Sequence, residues 1–467
     1  MHPAVGATAA GPRLVVAGLS GESGKTLVAL ALLLNARRQG HDVRAFKKGP
    51  DYIDAAWLAW ASGAVARNLD TYLMGFEDAV RSFSRHAIPC GLNLIEGNRG
   101  LYDGVDALGT HSTAELAKAL RAPVVVVVNA TKMTRTAAAL LLGCERLDPE
   151  VTIAGVIFNQ VAGSRHERLL RAAVESACHV PVLGAIPRAE IGTMLPSRHL
   201  GLVTPLECPG IESLAESVLD LTGEHLDFDR LLEIARQVPA LEEGPPPPSP
   251  SVDGRGLVVG YFADSAFSFY YPENLDALRC AGARLAPISA LSAQRLPSDL
   301  DALYIGGGFP ETHAEALSQN SELLGSVRRA AEQGLPVYAE CGGLMYLSRA
   351  LHWRGRRYPL AAALPFEVEM CSAPQGHGYV ELLVDAPNPF FPTGTRLRGH
   401  EFHYSRITCD GVPPSTACAV LRGTGCCARR DAVIAGHTWA AYTHLHALAT
   451  PEWAAGLLGA ARIGCAC

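Results

Sequence analysis

Near its middle the chain reads Glu242-Glu243-Gly244-Pro245-Pro246-Pro247-Pro248-Ser249-Pro250-Ser251. Proline offers no amide hydrogen and its ring fixes φ. Such a run can neither continue a helix nor join a sheet ladder, and it settles into an extended, semi-rigid form. The 467 residues are therefore expected to fold as two bodies, residues 1–240 and 256–467, with 241–255 as a linker. Each body is long enough to bury its own core.

Both bodies alternate short apolar runs with helical patterns. In the first, strands are expected at 13–17, 42–46, 92–96, 123–129, 152–159 and 182–186, and helices at 25–38, 113–120 and 134–147. In the second, strands are expected at 257–262, 283–287, 302–305 and 336–339, again with helices between them. Beyond residue 353 the pattern turns more β-like, with extended stretches at 378–384 and 396–407. Several runs are apolar on both faces, as strands of a covered parallel sheet are. This alternation implies α/β folds with doubly wound, mostly parallel sheets.

Composition narrows the partners. A formal net charge of −6 argues against a nucleic-acid or anionic-membrane binder, whose surface carries a basic excess. No apolar run approaches the roughly eighteen residues of a membrane span. Residues 1–12 lack the basic and apolar regions of a secretory signal. The 13 cysteines are scattered, odd in number and contain no C-x-x-C pair, so a disulfide framework is not expected and the cytoplasm is.

After the first strand comes Gly18-Leu19-Ser20-Gly21-Glu22-Ser23-Gly24-Lys25-Thr26, then an apolar helix. Glycines let the backbone turn its N–H groups toward a phosphate, and the helix N-terminus favours the anion. Lys25 would neutralise the β- and γ-phosphates, and Thr26 would offer its hydroxyl to Mg²⁺. The common spacing is G-x₄-G-K-[ST]; here Leu19 holds the first glycine position and Gly18 lies one residue earlier. Two further segments fit an ATP-using site. The strand that ends at Glu96 sets a carboxylate beside the loop, where it can hold Mg²⁺. The strand that ends at Phe46 empties into Lys47-Lys48-Gly49-Pro50-Asp51-Tyr52-Ile53-Asp54. There Lys47 could bridge a substrate carboxylate and the γ-phosphate, and Asp51 could take the metal, with Asp54 the weaker candidate.

In the second body, strand 336–339 leads into Glu340-Cys341-Gly342-Gly343. A reactive side chain on a sharp strand-to-helix turn, with small neighbours for clearance, is the logic of a nucleophile elbow. The amide after the nucleophile, that of Gly342, can donate to an oxyanion, and the turn Gly306-Gly307-Gly308 one strand earlier could supply a second donor. A cysteine nucleophile needs a base. Of the 16 histidines, His444 in Tyr442-Thr443-His444-Leu445-His446 is the best placed, with His446 and His403 as rivals. The stretch His400-Glu401-Phe402-His403 has H-E-x-H rather than H-E-x-x-H spacing, which argues against a zinc site. Cys426-Cys427 and the pair Cys465 and Cys467 are equally weak as metal or redox sites.

Taken together, these stretches resemble the cobyrinate a,c-diamide synthases over nearly the whole chain. The resemblance also rests on Gly100-Leu101-Tyr102-Asp103-Gly104, Pro196-Ser197-Arg198-His199-Leu200-Gly201-Leu202 and Ala266-Phe267-Ser268-Phe269-Tyr270-Tyr271-Pro272-Glu273-Asn274. It implies an N-terminal P-loop NTPase of the dethiobiotin-synthetase-like type, which uses the shifted loop spacing. It implies a C-terminal class I-like glutaminase of flavodoxin-like α/β form. The activity implied is ATP-dependent amidation of two acetate carboxylates of cobyrinate through acyl phosphates, with ammonia from L-glutamine. Cys341 matches the family's nucleophile and His444 its activating histidine. Ordinary class I glutaminases carry H-x-E, whereas here the third position is His446, so the group that orients His444 is left unassigned. The nucleotide set is then Gly21, Gly24, Lys25, Thr26 and Asn159; Lys47 and Tyr52 face substrate and phosphoryl group; Thr26, Asp51 and Glu96 hold Mg²⁺. Two nearer alternatives keep the chemistry but change the tetrapyrrole to hydrogenobyrinate or a nickel-sirohydrochlorin. A remote one is a ParA/MinD-like switch ATPase with a degenerate glutaminase module. A homodimer is left open.

Overall fold

The computed structural model describes residues 11–188, 197–198, 201–241, 252–409, 411 and 413–464. The proline linker at 242–251, Pro196, His199 and Leu200 of the stretch at 196–202, and Cys465 and Cys467 lie outside the described residues. The chain forms two compact units that divide between Pro246 and Pro247.

In the first unit the elements run β1 (Arg13–Gly18), α1 (Lys25–Arg38), β2 (Val43–Lys48), α2 (Tyr52–Ser62), β3 (Arg67–Leu69), α3 (Thr71–His86), β4 (Leu92–Gly100), α4 (Thr113–Ala119), β5 (Val124–Asn129), α5 (Thr136–Leu147), β6 (Ile153–Val161), α6 (Ser164–Glu175) and β7 (Val182–Pro187). A two-residue hairpin, β8 (Ser197–Arg198) and β9 (Gly201–Leu202), follows, then α7 (Ile211–Thr222) and α8 (Phe228–Arg236). Seven strands form one sheet in the order β3-β2-β4-β1-β5-β6-β7, every pair parallel. The Val124–Val128 run is buried on both faces, which is why it shows no alternation. Helix α1 is buried from Leu27 to Ala36 and apolar all round, the pattern of a helix enclosed on every side.

In the second unit the elements are β10 (Val258–Phe262), α9 (Pro272–Cys280), β11 (Arg284–Ile288), β12 (Ala302–Ile305), α10 (Ala314–Gln319), α11 (Ser321–Glu332), β13 (Val337–Glu340) and α12 (Gly342–Leu347). Strands then dominate: β14 (Ala350–Trp353), β15 (Arg356–Pro359), β16 (Glu367–Met370), β17 (Gly376–Val384), β18 (Arg396–His403), β19 (Ser405–Thr408), β20 (Thr416–Arg422), β21 (Arg430–Ala435), β22 (Thr438–Ala441) and β23 (His444–Leu445), with α13 (Glu452–Gly464) last. Ten of them make one sheet, β11-β10-β12-β13-β22-β21-β20-β17-β18-β23. Its first five strands are parallel and the rest extend it antiparallel. A second sheet of four strands runs β15-β14-β16-β19. The extended stretch expected at 396–407 is therefore two strands. The chain leaves β18 at Tyr404 and enters the other sheet as β19, pairing with β16 instead. Among the described residues no helix is long and apolar enough to cross a membrane.

Candidate functional site

Each unit gathers its chemical groups at the carboxyl ends of adjacent parallel strands, where open α/β sheets bind ligands. In the first unit the strand register does the assembling. Glu96 of β4 lies opposite Val16 of β1 on one side and opposite Lys47 of β2 on the other. Thr26, in the first turn of α1, donates its hydroxyl to Glu96 Oε1 at 2.8 Å. Lys47 Nζ reaches the same oxygen at 2.9 Å, Asp54 Oδ2 at 2.6 Å and the Gly97 carbonyl at 3.1 Å. One ammonium thus joins two strands and α2. Burial works to lower the Lys47 pKa, but Asp54 and Glu96 outweigh it and the net shift is upward, so it stays charged. Burial raises the Glu96 carboxyl, and the Lys47 ammonium opposes that rise.

The loop between β1 and α1 is held from the side. Gly24 has φ +97°, and a Cβ there would lie 2.1 Å from Asn159 Nδ2. That amide donates to the Ser23 carbonyl at 3.1 Å, so Asn159 latches the loop from β6. Gly21 is exposed at the loop's tip. Lys25 folds back to donate to the Ser20 carbonyl at 3.0 Å. Its pKa is lowered by burial and then by Lys47. Asp51 is the N-cap of α2, its Oδ1 accepting from Asp54 N–H at 2.8 Å, and Tyr52 is that helix's first residue. Burial, followed by Asp54, raises the Asp51 carboxyl to about 7.

Two acids here had only a weak sequence signal. Asp54 rather than Asp51 pairs with Lys47, a consequence of the helical turn that separates them. Asp103, whose Oδ2 accepts from Gly100 N–H at 2.9 Å, puts its charge on Lys25. The donor set suits a hard cation. Thr26 supplies a hydroxyl, and the fully buried Glu96 keeps Oε2 without a hydrogen-bond partner. Mg²⁺ takes only one or two carboxylates and completes its shell with phosphate and water. Among the described residues no group of three His, Cys, Asp or Glu side chains is arranged to hold a metal by itself.

In the second unit β13 runs parallel to β22, with Glu340 opposite Ala441. The chain then turns sharply at Cys341, whose φ of 46° and ψ of −98° lie where a side chain is strained. Cys341 N–H donates to the Ala441 carbonyl at 2.7 Å, and its own carbonyl accepts from Met345 N–H at 3.0 Å, starting α12. The thiol is buried. Burial first and Glu311 second push its pKa well up, while the Gly342 N–H works the other way. At rest it is a thiol, not a thiolate.

The glycine turn after β12 lies against this elbow. A Cβ on Gly342 would sit 3.1 Å from the Gly308 nitrogen. A Cβ on Gly307 would sit 2.6 Å from His444 Cε1 and 3.4 Å from its Nε2, so only glycine lets the ring approach. His444 is in β23, opposite His400 of β18, and their rings stack at 4.9 Å. His444 Nδ1 lies 3.4 Å from Glu340 Oε2. The rival His446 is fully buried elsewhere. Its Nε2 is 3.4 Å from Glu273 Oε2, its Nδ1 accepts from Leu448 N–H, and its ring packs on Tyr271 at 4.5 Å. His403 stacks on Tyr442 at 3.7 Å and walls a cavity of about 400 Å³ shared with Gln375, Ser405 and Cys427.

A phosphate-type loop backed by a paired lysine, and a cysteine elbow facing a glycine turn, define a two-part, glutamine-dependent, amide-forming ligase that uses ATP. Residues 14–203 match the CobQ/CobB/MinD/ParA nucleotide binding domain, and residues 258–452 the CobB/CobQ-like glutamine amidotransferase domain. The chain is 45% identical to the cobyrinate a,c-diamide synthase of Magnetococcus marinus over 449 residues, 95% of this chain and 96% of that protein. It is 39% identical to that of Archaeoglobus fulgidus, covering 94% of each, and 40% identical to that of Syntrophotalea carbinolica, covering 94% and 96%. The chain belongs to the cobyrinate a,c-diamide synthase family.

Proposed function

We propose that the protein converts the a- and c-acetate carboxylates of cobyrinate to amides in the cytoplasm, using ATP and L-glutamine. Residues 1–240 would carry the ATP-dependent half-reaction and 256–467 the glutaminase, with 241–255 as the linker. The observation that carries the reading is the hydrogen-bonded array Thr26–Glu96–Lys47–Asp54 beside the latched loop. It supports phosphoryl transfer to a carboxylate.

A carboxylate is a poor electrophile. In the first step its oxygen attacks the γ-phosphorus and ADP leaves, giving an acyl phosphate; ammonia then attacks the acyl carbon and phosphate leaves. The backbone at Gly21 and Gly24 cradles the phosphates, Lys25 neutralises the transferring group, and Lys47 with Tyr52 lines the side where a carboxylate approaches. Mg²⁺, when bound, supplies charge neutralisation between the phosphates, and Thr26, Asp51 and Glu96 are the residues that would hold it.

In the glutaminase half-reaction His444 takes the Cys341 proton and the sulfur attacks the glutamine amide carbon. The oxyanion accepts from the amides of Gly342 and of the Gly307-Gly308 turn. His444 then protonates the departing nitrogen, and water hydrolyses the thioester. The test is mass spectrometry of products from cobyrinate, hydrogenobyrinate and a nickel-sirohydrochlorin, each with ATP and glutamine. Double amidation of cobyrinate is expected with wild-type enzyme. With Cys341→Ala it should need free ammonia. No product from any tetrapyrrole, or glutamine-driven amidation by Cys341→Ala, would refute the assignment.

A further inference from the structure

The histidine of a Cys–His pair needs a partner on its far nitrogen, and the H-x-E position that commonly supplies one holds His446, which is engaged with Glu273 instead. Resting on the glutaminase reading above, we infer that Glu340, the residue immediately before the nucleophile, is the positioning acid of His444. Its carboxylate is fully buried at the end of β13. Oε1 accepts from Leu445 N–H at 3.1 Å, which ties β23 to β13 next to the histidine itself. Oε2 accepts from Tyr304 O–H at 3.2 Å and faces His444 Nδ1 at 3.4 Å. The carboxylate is therefore fixed on two sides before the imidazole is considered, as a group that sets a ring's orientation must be.

The rest of the imidazole's surroundings agree. Gly307 lies against its Cε1 and Nε2 edge. His400 covers one face and is itself kept neutral, its pKa pushed well below the ordinary histidine value by burial and then by His444. His446 carries its own acid, Glu273. Asp431 is occupied by the Tyr442 and Thr443 amides and the Thr443 hydroxyl. Among these acids Glu340 lies within ion-pair distance of a His444 nitrogen, its Oε2 being 3.4 Å from Nδ1. With Nδ1–H directed at Glu340, the tautomer leaves Nε2 unprotonated on the glycine-turn side, the form that a base for the Cys341 thiol must have. When that proton arrives the imidazolium stands opposite a buried carboxylate. When it passes to the leaving nitrogen, ammonia departs and the ring returns to neutrality. Glu340 takes up no proton in either step.

The test is glutamine hydrolysis by the full-length protein carrying Glu340→Gln, Glu340→Asp or Cys341→Ala. Glu340→Gln should lower kcat on the order of 10²-fold with KM little changed. Because the imidazolium loses its counter-charge, the acid limb of its pH profile should move to lower pH. Glu340→Asp should restore part of the rate and of the profile. A wild-type rate in Glu340→Gln overturns the inference; so does a loss that leaves the pH profile unmoved and tracks a lowered Tm. Should the variant fail to fold, ¹⁵N shifts of His444 in the wild type decide the matter: hydrogen on Nδ1 supports the assignment, hydrogen on Nε2 overturns it. Glutamine hydrolysis that survives Cys341→Ala overturns the underlying reading, and this inference with it.

Discussion

Individual side chains in the second unit differ sharply in how ready they are to react. The Cys341 thiol is held protonated by burial and by Glu311, whereas Cys427 is lowered to about 7 because Cys426, 3.8 Å away, donates its S–H to it. The two titrate as a pair, so the lowered value belongs to the couple. Alkylation follows the thiolate fraction. Labelling of the Cys426–Cys427 peptide should therefore fall about tenfold per pH unit below about 7 and level off above it. The Cys341 peptide should label slowly at pH 7 and 8, as peptide mass spectrometry can follow. His444 and His446, two positions apart, should separate equally cleanly. His444→Ala should cut glutamine turnover on the order of 10²-fold or more, as loss of a general acid–base does. His446→Ala should be mild, since that ring is occupied with Glu273 and Tyr271. Large loss in His446→Ala alone would reverse the assignment. The elbow at Cys341 was legible in the sequence because a cysteine before two glycines after a buried strand leaves a local pattern. The contacts of Glu340 with Leu445 and His444 were not, because they depend on which strand lies beside β13 and in what register, and no local pattern encodes that.

At the level of elements, segments built on a continuous apolar run were legible, and those without one or divided between two sheets were not. The helix expected at 25–38 has those bounds, with the apolar run Leu27 to Leu34 forming its middle, and even the four-residue strand expected at 302–305 keeps its bounds because all four residues are apolar and buried. Strand β3, only Arg67-Asn68-Leu69, has no periodicity to read, and it exists because Asn68 and its neighbours complete the ladder beside β2. Helix α2 shows how packing and site are coupled. Its Asp51 cap and Asp54 face the ATP-type site, while Trp57, fully buried on the same helix, donates its indole N–H to the Val203 carbonyl at 2.9 Å. Replacing Trp57 with Ala removes a large core side chain and leaves that carbonyl unpaired. It should destabilise the first unit by about 3–5 kcal/mol, read from the urea midpoint at unchanged m-value. An effect under about 1 kcal/mol would mean that α2 is anchored elsewhere.

Over the whole molecule one construction rule serves twice. The phosphate loop, Glu96 and Lys47 come from β1, β4 and β2, three neighbours in one sheet. The glycine turn, the Glu340-Cys341 elbow and the segment leading to His444 come from β12, β13 and β22, three neighbours in the other. The margins formed by β7 in the first sheet and β11 in the second carry none of these groups, whereas the other margin of the second sheet is β23, which carries His444 itself. Local opening of β7 or of β11, both edge strands, would separate none of those groups. Backbone amides of β4 and β13 should accordingly fall in the slowest class of native-state hydrogen exchange, and those of β7 and β11 in a faster one. Openings at those two margins would leave both sets of groups assembled, whereas fraying of the two-residue edge strand β23 would carry His444 away from the glycine turn before the innermost ladder melts.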